Sequence, residues 1–306
     1  MRISLYEHIT ATSHETDPLY REGKAMRDAL HDDLLRISDL EVINGEFDRS
    51  LREADACILI APESEGILER LSRRVLDFGG KLFGPHPDAI RLTTDKLSLS
   101  RHWQQRGVPT PSTSLAVTGH YDFPAVLKPR DGAGSESTYL VENVAEYMDR
   151  LSRCSREMIV QPLVAGEPAS IAFLVGPHQT LPLCPARQRL SSDGLFQYVG
   201  GELPLPPQEA ERAIHLGRAA IEAVPSGLFG YVGVDLILGE AEDGSEDFAI
   251  EINPRLTTSY VGLRAATSDN IAEAMLRICA GFPVAELKWL PVTTEWGSDF
   301  RAIRKV

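Results

Sequence analysis

The feature that most constrains this chain is a change of rhythm after residue 107. Residues 1–92 alternate single strands with helices. Residues 2–8 read as a strand, and residues 22–37 carry Ala25, Met26, Ala29, Leu30, Leu34 and Ile37 at helical spacing. Residues 54–61 (ADACILIA) form an almost wholly apolar strand, residues 67–78 return to helical spacing and stop at Gly79-Gly80, and residues 81–84 make a short strand ahead of Pro85. A strand that is apolar on both faces belongs in a parallel sheet covered on both sides, so residues 1–92 predict an α/β domain. A helix over 93–107, capped by Thr94 or Asp95 and ended by Gly107, leads into the extended Val108-Pro109-Thr110-Pro111. Beyond it strands crowd together at 125–129, 137–141, 158–164, 169–175, 180–189, 232–238 and 247–253, with helices at 143–154, 207–223 and 270–280. That pattern predicts α+β structure for 93–306, in two parts divided near residue 164.

Charge and cysteine usage narrow the function classes. Against 31 Lys and Arg stand 44 Asp and Glu, a net charge of −13. Such a chain is ill suited to neutralising nucleic-acid phosphates or to lying on an anionic membrane. No apolar run approaches the roughly 20 residues of a membrane helix, and polar residues interrupt the first strand too soon for a signal peptide. Cys57, Cys154, Cys184 and Cys279 are far apart and form no CxxC pair, which argues against a zinc knuckle or a disulfide scaffold. Reduced thiols and a cytoplasmic location are expected.

Three segments carry chemistry. Gly132-Ala133-Gly134-Ser135-Glu136-Ser137 nearly matches GxGxxG, but the following STYLV continues as a strand rather than a helix. The dinucleotide fingerprint needs that helix, so a Rossmann oxidoreductase is disfavoured. The segment is a Gly-rich hairpin loop: either a plain turn or a cradle of backbone N–H groups for phosphate. Lys128, in the apolar strand VLKP just before it, favours the cradle, because a lysine among apolar residues needs an anion. Lys96 can serve the same anion or simply be a solvated helix lysine.

The second segment is DFAIEINPR, 247–255. Alternation along a strand puts Glu251 and Asn253 on one face. If the strand holding Asp235 pairs with it through the acidic turn 240–246, two carboxylates and an amide oxygen converge, a donor set suited to Mg²⁺, with Mn²⁺ as a substitute. The third segment, Gln161-Pro162-Leu163-Val164-Ala165-Gly166-Glu167, is a strand exit whose backbone can offer a donor and an acceptor to an adenine edge, with Glu167 in reach of a ribose hydroxyl. His8 and His14 lie near the end of the first strand, where open sheets place ligands, but a satisfied surface histidine is the more ordinary reading of each.

The ordered set GVPTP after an Asp95-Lys96 helix, VLKP, the Gly-rich hairpin, QPLVAGE, Asp235 and EINPR resembles the ATP-grasp superfamily across essentially the whole chain. Within it, Tyr6-Glu7, EGKAM at 22–26, PARQR at 185–189 and EINPRLTTSYVGL at 251–263 resemble the tyramine–glutamate ligases of methanofuran biosynthesis. One departure is that the family often has an acid where this chain has Gln161 or Pro162.

The resemblance implies a pre-ATP-grasp α/β domain at 1–92 and an ATP-grasp domain at 93–306, whose two α+β subdomains hold ATP between them. It implies an ADP-forming carboxylate–amine ligase acting through an acyl phosphate on small-molecule substrates, with a homodimer as one assembly open to it. Lys96 and Lys128 would hold ATP phosphates under a loop running from Asp131 through Gly132, Gly134 and Ser135 to Ser137. Gln161, Pro162, Val164 and Glu167 would border the nucleoside. Asp235, Glu251 and Asn253 would hold Mg²⁺, and Arg255 with Lys128 would carry the catalysis. Arg187 and Arg189 would clamp the acidic substrate, and Tyr260 would help choose it. The alternatives are an ATP-grasp amino-acid ligase of the pyrrolysine-precursor type and, from another class, a nucleotide-binding regulator without turnover.

Overall fold

The computed structural model describes residues 1–119 and 121–305. The first unit holds β1 (Arg2–Glu7), α1 (His8–Thr12), α2 (Tyr20–Leu34), β2 (Glu41–Ile43), α3 (Phe47–Glu53), β3 (Ala56–Ile60), α4 (Ile67–Asp77), β4 (Lys81–Leu82) and α5 (Pro87–Thr94). Its sheet is parallel, in the order β2-β1-β3-β4. The apolar ACILI of β3 is buried at every position, as a sheet covered on both faces requires. The single helix expected over 93–107 is broken at Asp95. There α5 stops and α6 (Lys96–Gln105) starts, with the Asp95 carboxylate accepting from Ser98 N.

A second sheet, β5 (Ser114–Leu115), β6 (Ala125–Pro129), β7 (Tyr139–Val141) and β8 (Met158–Pro162), runs in the order β5-β8-β6-β7 with α7 (Val144–Ser152) against it. The antiparallel pairing of β6 with β7 makes the Gly-rich segment a hairpin connection.

The third sheet contains β9 (Glu167–Val175), β10 (Thr180–Pro182), β11 (Ala186–Leu190) and β12 (Tyr198–Leu203). After α8 (Pro207–Ala223) come β13 (Gly230–Leu238) and β14 (Phe248–Asn253), then α9 (Ser259–Ala265), α10 (Ile271–Cys279), β15 (Thr293–Gly297) and β16 (Ala302–Lys305). The order is β14-β13-β9-β11-β12-β15-β16, with β10 pairing on the same edge of β9 as β11. The strand expected over 180–189 is therefore two, separated by Leu183-Cys184-Pro185. The proline has no N–H for the ladder.

The units share one core. Ile3, Leu5, Leu30, Leu34, Ile58 and Ile60 of the first unit join Leu174 and Leu181 of the third sheet and Leu263, Met275 and Ile278 of α9 and α10 in a continuous buried cluster. Asp33 of α2 locks this junction. It is 2% exposed and accepts from Tyr260 Oη at 2.7 Å and from Arg264 Nε and Nη2 at 3.1 and 2.8 Å. Among the described residues no helix is long and apolar enough to cross a membrane.

Candidate active site

A cleft open to solvent lies between the second and third sheets and touches the first unit. Its floor is the β13–β14 ladder. The register sets Asp235 opposite Glu251 and Gly233 opposite Asn253, so the two carboxylates converge as the alternation predicts. Asp235 Oδ1 accepts from Gln188 Nε2 at 2.8 Å, and its Oδ2 from Asn253 Nδ2 at 3.0 Å. Burial and the neighbouring Glu251 push the Asp235 carboxyl up to about 7. Burial raises Glu251 too, but Lys96 and Lys128 outweigh it and hold that carboxyl below its ordinary value.

Lys96 begins α6, and its Nζ lies 3.4 Å from Glu251 Oε2 and donates to Gly132 O at 3.0 Å. Lys128 projects from β6 and is 7% exposed. Burial depresses its ammonium to about 8, with Glu251 opposing. The cations and the carboxylate pair thus face one another across the cleft.

The donor chemistry fits a hard divalent cation. Two carboxylates share one strand pair, one of them unwilling to ionise beside the other, with an amide at the next position on the same face. Among the described residues no group of three or more His, Cys, Asp and Glu converges on a metal position. A cation here would therefore complete its shell with water or phosphate oxygens, as Mg²⁺ does.

The Gly-rich loop borders the cleft through Asp131, Gly132, Ala133, Gly134 and Ser135. It is tied to the first unit. Asp131 Oδ2 accepts from Glu65 N at 2.9 Å, and its Oδ1 from Arg156 at 3.0 Å. Gly134 has φ +69°, in the left-handed region that favours glycine, and packs beside Leu19 Cδ2.

Arg255 also lines the cleft. Its Nε lies 2.9 Å from Oε1 of Glu63, a carboxylate 4% exposed just past β3, and its Nη1 donates to Leu256 O. At the other end of the cleft, Gln161, Pro162 and Val164 form part of the wall. The Gln161 side chain is spent internally, Nε2 donating to Thr113 Oγ1 at 2.7 Å.

Four expected site residues lie elsewhere. Along β11, Gln188 and Leu190 face the cleft while Arg187 and Arg189 alternate away from it. Arg187 pairs with Glu167 and Glu209, and Arg189 reaches Trp296 O and Glu295. Both guanidinia are directed to these partners and neither lines the cleft. Glu167 pairs with Arg187 at the surface and does not line the cleft. Tyr260 is fully buried against Asp33, whereas its neighbours Thr257, Thr258 and Ser259 do reach the cleft.

The sequence reading missed Gln188 as the partner of Asp235, Glu63 as the partner of Arg255, and Glu22 as a cleft residue. Two signals were available. The parity of PARQR allows only one of Arg187 and Gln188 to face the site, and an acid just beyond the apolar β3 sits where open sheets present functional groups.

Known proteins resolve what this arrangement belongs to. Residues 93–259 match the ATP-grasp domain model, and residues 19–90 match the pre ATP-grasp 3 domain. The chain belongs to the ATP-grasp family. It is an ATP-dependent carboxylate–amine ligase of that fold. Tyramine–L-glutamate ligase of Methanocaldococcus fervens is 25% identical over 303 residues, covering 90% of this chain and 93% of that protein. An ATP-grasp superfamily protein from Archaeoglobus fulgidus superposes with TM-score 0.74 at 24% identity, covering 96% of this chain and 91% of its own. Carboxyaminoimidazole ribonucleotide synthase from Aspergillus clavatus, solved with ATP, superposes with TM-score 0.72 at 15% identity, covering 96% of this ATP-grasp chain and 80% of its own.

Proposed function

We propose that this ATP-grasp protein activates the carboxylate of L-glutamate with ATP and passes it to an aromatic primary amine such as tyramine, in methanofuran-type cofactor biosynthesis in the cytoplasm. The observation that carries the reading is that Lys96, Lys128 and Arg255 face the Asp235–Glu251 pair across one cleft. The match to tyramine–L-glutamate ligase over 90% of the chain, at 25% identity, supports the general reaction.

Lys96 and Lys128 would hold the phosphates beneath the 131–137 loop, and Asp235, Glu251 and Asn253 would hold Mg²⁺, for which Mn²⁺ can substitute. When bound, the cation neutralises charge on the phosphate oxygens. A donor carboxylate oxygen attacks the γ-phosphorus, the bond to the bridging oxygen breaks, and ADP leaves. Arg255 and Lys128 supply fixed positive charge where the transferred phosphoryl group gathers negative charge. The free amine then attacks the acyl carbon, inorganic phosphate leaves, and the amine proton passes to solvent or a nearby carboxylate. Pro162 and Val164 would border the nucleoside.

Purified protein with MgATP, L-glutamate and tyramine should release ADP and phosphate, and hydroxylamine in place of the amine should yield the glutamyl hydroxamate. Formation of AMP and pyrophosphate would overturn the mechanism.

A further inference from the structure

The wall that β11, β12 and the turn between them present to the cleft carries Gln188, Leu190, Phe196 and Tyr198. Two of these are apolar, and Gln188 already gives its Nε2 to Asp235 Oδ1. Tyr198 is the remaining polar group, and its partner decides which way its hydroxyl works. Its Oη accepts from Trp296 Nε1 at 2.6 Å. An indole N–H can only donate, so the proton of the phenol itself must be directed elsewhere. Trp296 is 2% exposed, and its ring is packed against Gly201 and Gly262, so the Tyr198 hydroxyl is held by a side chain with little room to turn. Among the described residues no carboxylate or carbonyl accepts from Tyr198.

The surroundings put that proton at the reacting end of the cleft. Burial holds the phenol well above its ordinary value, hydrogen bonding with Thr258 and Trp296 works against that, and the Asp235 and Glu22 carboxylates raise it further. Tyr198 therefore keeps its proton at neutral pH, with the β13–β14 carboxylates on one side and the first unit on the other. Neighbouring donors are engaged. The hydroxyls of Thr257, Ser259 and Tyr231 bond to one another, and Arg187 and Arg189 pair away from the cleft. In the ligase reading Lys96, Lys128 and Arg255 serve the phosphoryl group, which leaves the acyl oxygen of the activated donor without a partner among them.

We propose that Tyr198 is a catalytic residue of the second half-reaction, its O–H donating to the acyl oxygen of the activated carboxylate. The proposal rests on the ligase reading above and adds the group that meets the oxyanion. As the amine nitrogen bonds to the acyl carbon, the carbonyl π pair moves onto the oxygen and is met by the Tyr198 proton, which stays on the phenol. The pair then returns, the bond from the acyl carbon to the phosphate oxygen breaks, and inorganic phosphate leaves. The surplus amine proton passes to solvent or a nearby carboxylate. A donor fixed in place beforehand by Trp296 needs no reorganisation when that charge develops.

Tyr198→Phe removes the hydroxyl and keeps the ring, and two readouts separate the half-reactions. With L-glutamate and MgATP carrying heavy oxygen at the β–γ bridge, movement of the label to a non-bridging β position reports reversible acyl-phosphate formation. Amide formation with saturating tyramine reports both half-reactions together. In the variant, label movement should stay within about threefold of wild type, while amide formation should fall about 100- to 1000-fold, the loss expected when one oxyanion donor is removed. The variant leaves the buried Trp296 indole without its acceptor. If it does not fold, the same comparison is made in a Trp296→Phe background, where Tyr198→Phe should produce the same divergence of the two readouts. Amide formation within about threefold of the parent, or a fall in label movement as large as the fall in amide, overturns the role of Tyr198 while leaving the ligase reading standing. A wild-type protein that neither moves the label nor forms amide overturns the ligase reading, and the role of Tyr198 falls with it.

Discussion

Replacing Asp235 by Asn should stabilise the metal-free protein while abolishing its activity. The Asp235 carboxyl is displaced from 3.8 to about 7 by burial and by Glu251. Holding it ionised in the fold therefore costs on the order of 4 kcal/mol as an upper bound. An Asn keeps the shape and removes the charge. Its oxygen can accept from Gln188, and Asn253 can turn its amide over to accept from the new amide nitrogen.

The sign follows from the direction of the displacement. A carboxyl raised in the folded state imposes no penalty below its unfolded value near 3.8, and the full penalty above its folded value near 7. The advantage of the variant should therefore grow from pH 5 to pH 8. Urea denaturation in EDTA at both pH values measures it. Saturating MgATP should reverse the order, because only the wild type gains the linkage energy of a tightly bound ligand. A variant less stable than wild type at pH 8 without metal, or a gap that does not change with pH, would refute the reasoning.

Three further outcomes follow from contacts already described. Asp33→Ala leaves Arg264 and the Tyr260 hydroxyl facing a vacated buried site, and should cost about 3–5 kcal/mol in chemical denaturation. Asp95→Ala removes the cap of α6 and the Arg130 pair, and should cost about 1–2 kcal/mol at pH 7. Burial works against Asp95, but the Arg130 and Ser98 hydrogen bonds outweigh it and hold the carboxyl down to about 2. Its contribution is present above its unfolded value near 3.8 and fades as pH falls toward 2, so the deficit of the variant should narrow in acid. Arg187→Ala should leave the KM for glutamate within about twofold and change stability by no more than about 1 kcal/mol, since that side chain serves half-exposed ion pairs outside the cleft; a tenfold rise in KM would return it to the substrate site.

Where local pattern decides structure, the sequence was readable. The apolar run of β3, the capped start of α6, the hairpin after VLKP and the parity of Glu251 with Asn253 each follow from a few neighbouring residues, and the structure has all four. Where long-range pairing decides, it was not. The strand β12, with two glycines in its middle, offers little strand propensity, yet it lies between β11 and β15. There Gly201 makes room for the ring of Trp296, with Gly262 of α9 on the indole's other contact face. The strand β15 went unread for the same reason, since its partner β12 lies about a hundred residues away, and β16 is joined to the sheet only through its short hairpin with β15. The cleft-facing set was legible on β6, β13 and β14. The arginines of β11 misled because a guanidinium reads as an anion clamp until the strand's facing is known, and Tyr260 because its partner Asp33 lies 227 residues away.

The core shared by the first unit and α10 bears on synthesis at the ribosome. The apolar faces of β1, β3 and α2 are translated first, but the side chains that cover them, down to Met275 and Ile278, are translated more than two hundred residues later. One face of the first unit's sheet finds its cover within residues 1–92, but the other stays uncovered until the third sheet and the last helices are made. The unit must wait in a partly formed state or be shielded by a chaperone until the last helices arrive. Stalling within the third sheet would hold that surface open, which makes the nascent chain, rather than the finished enzyme, the species most exposed to aggregation.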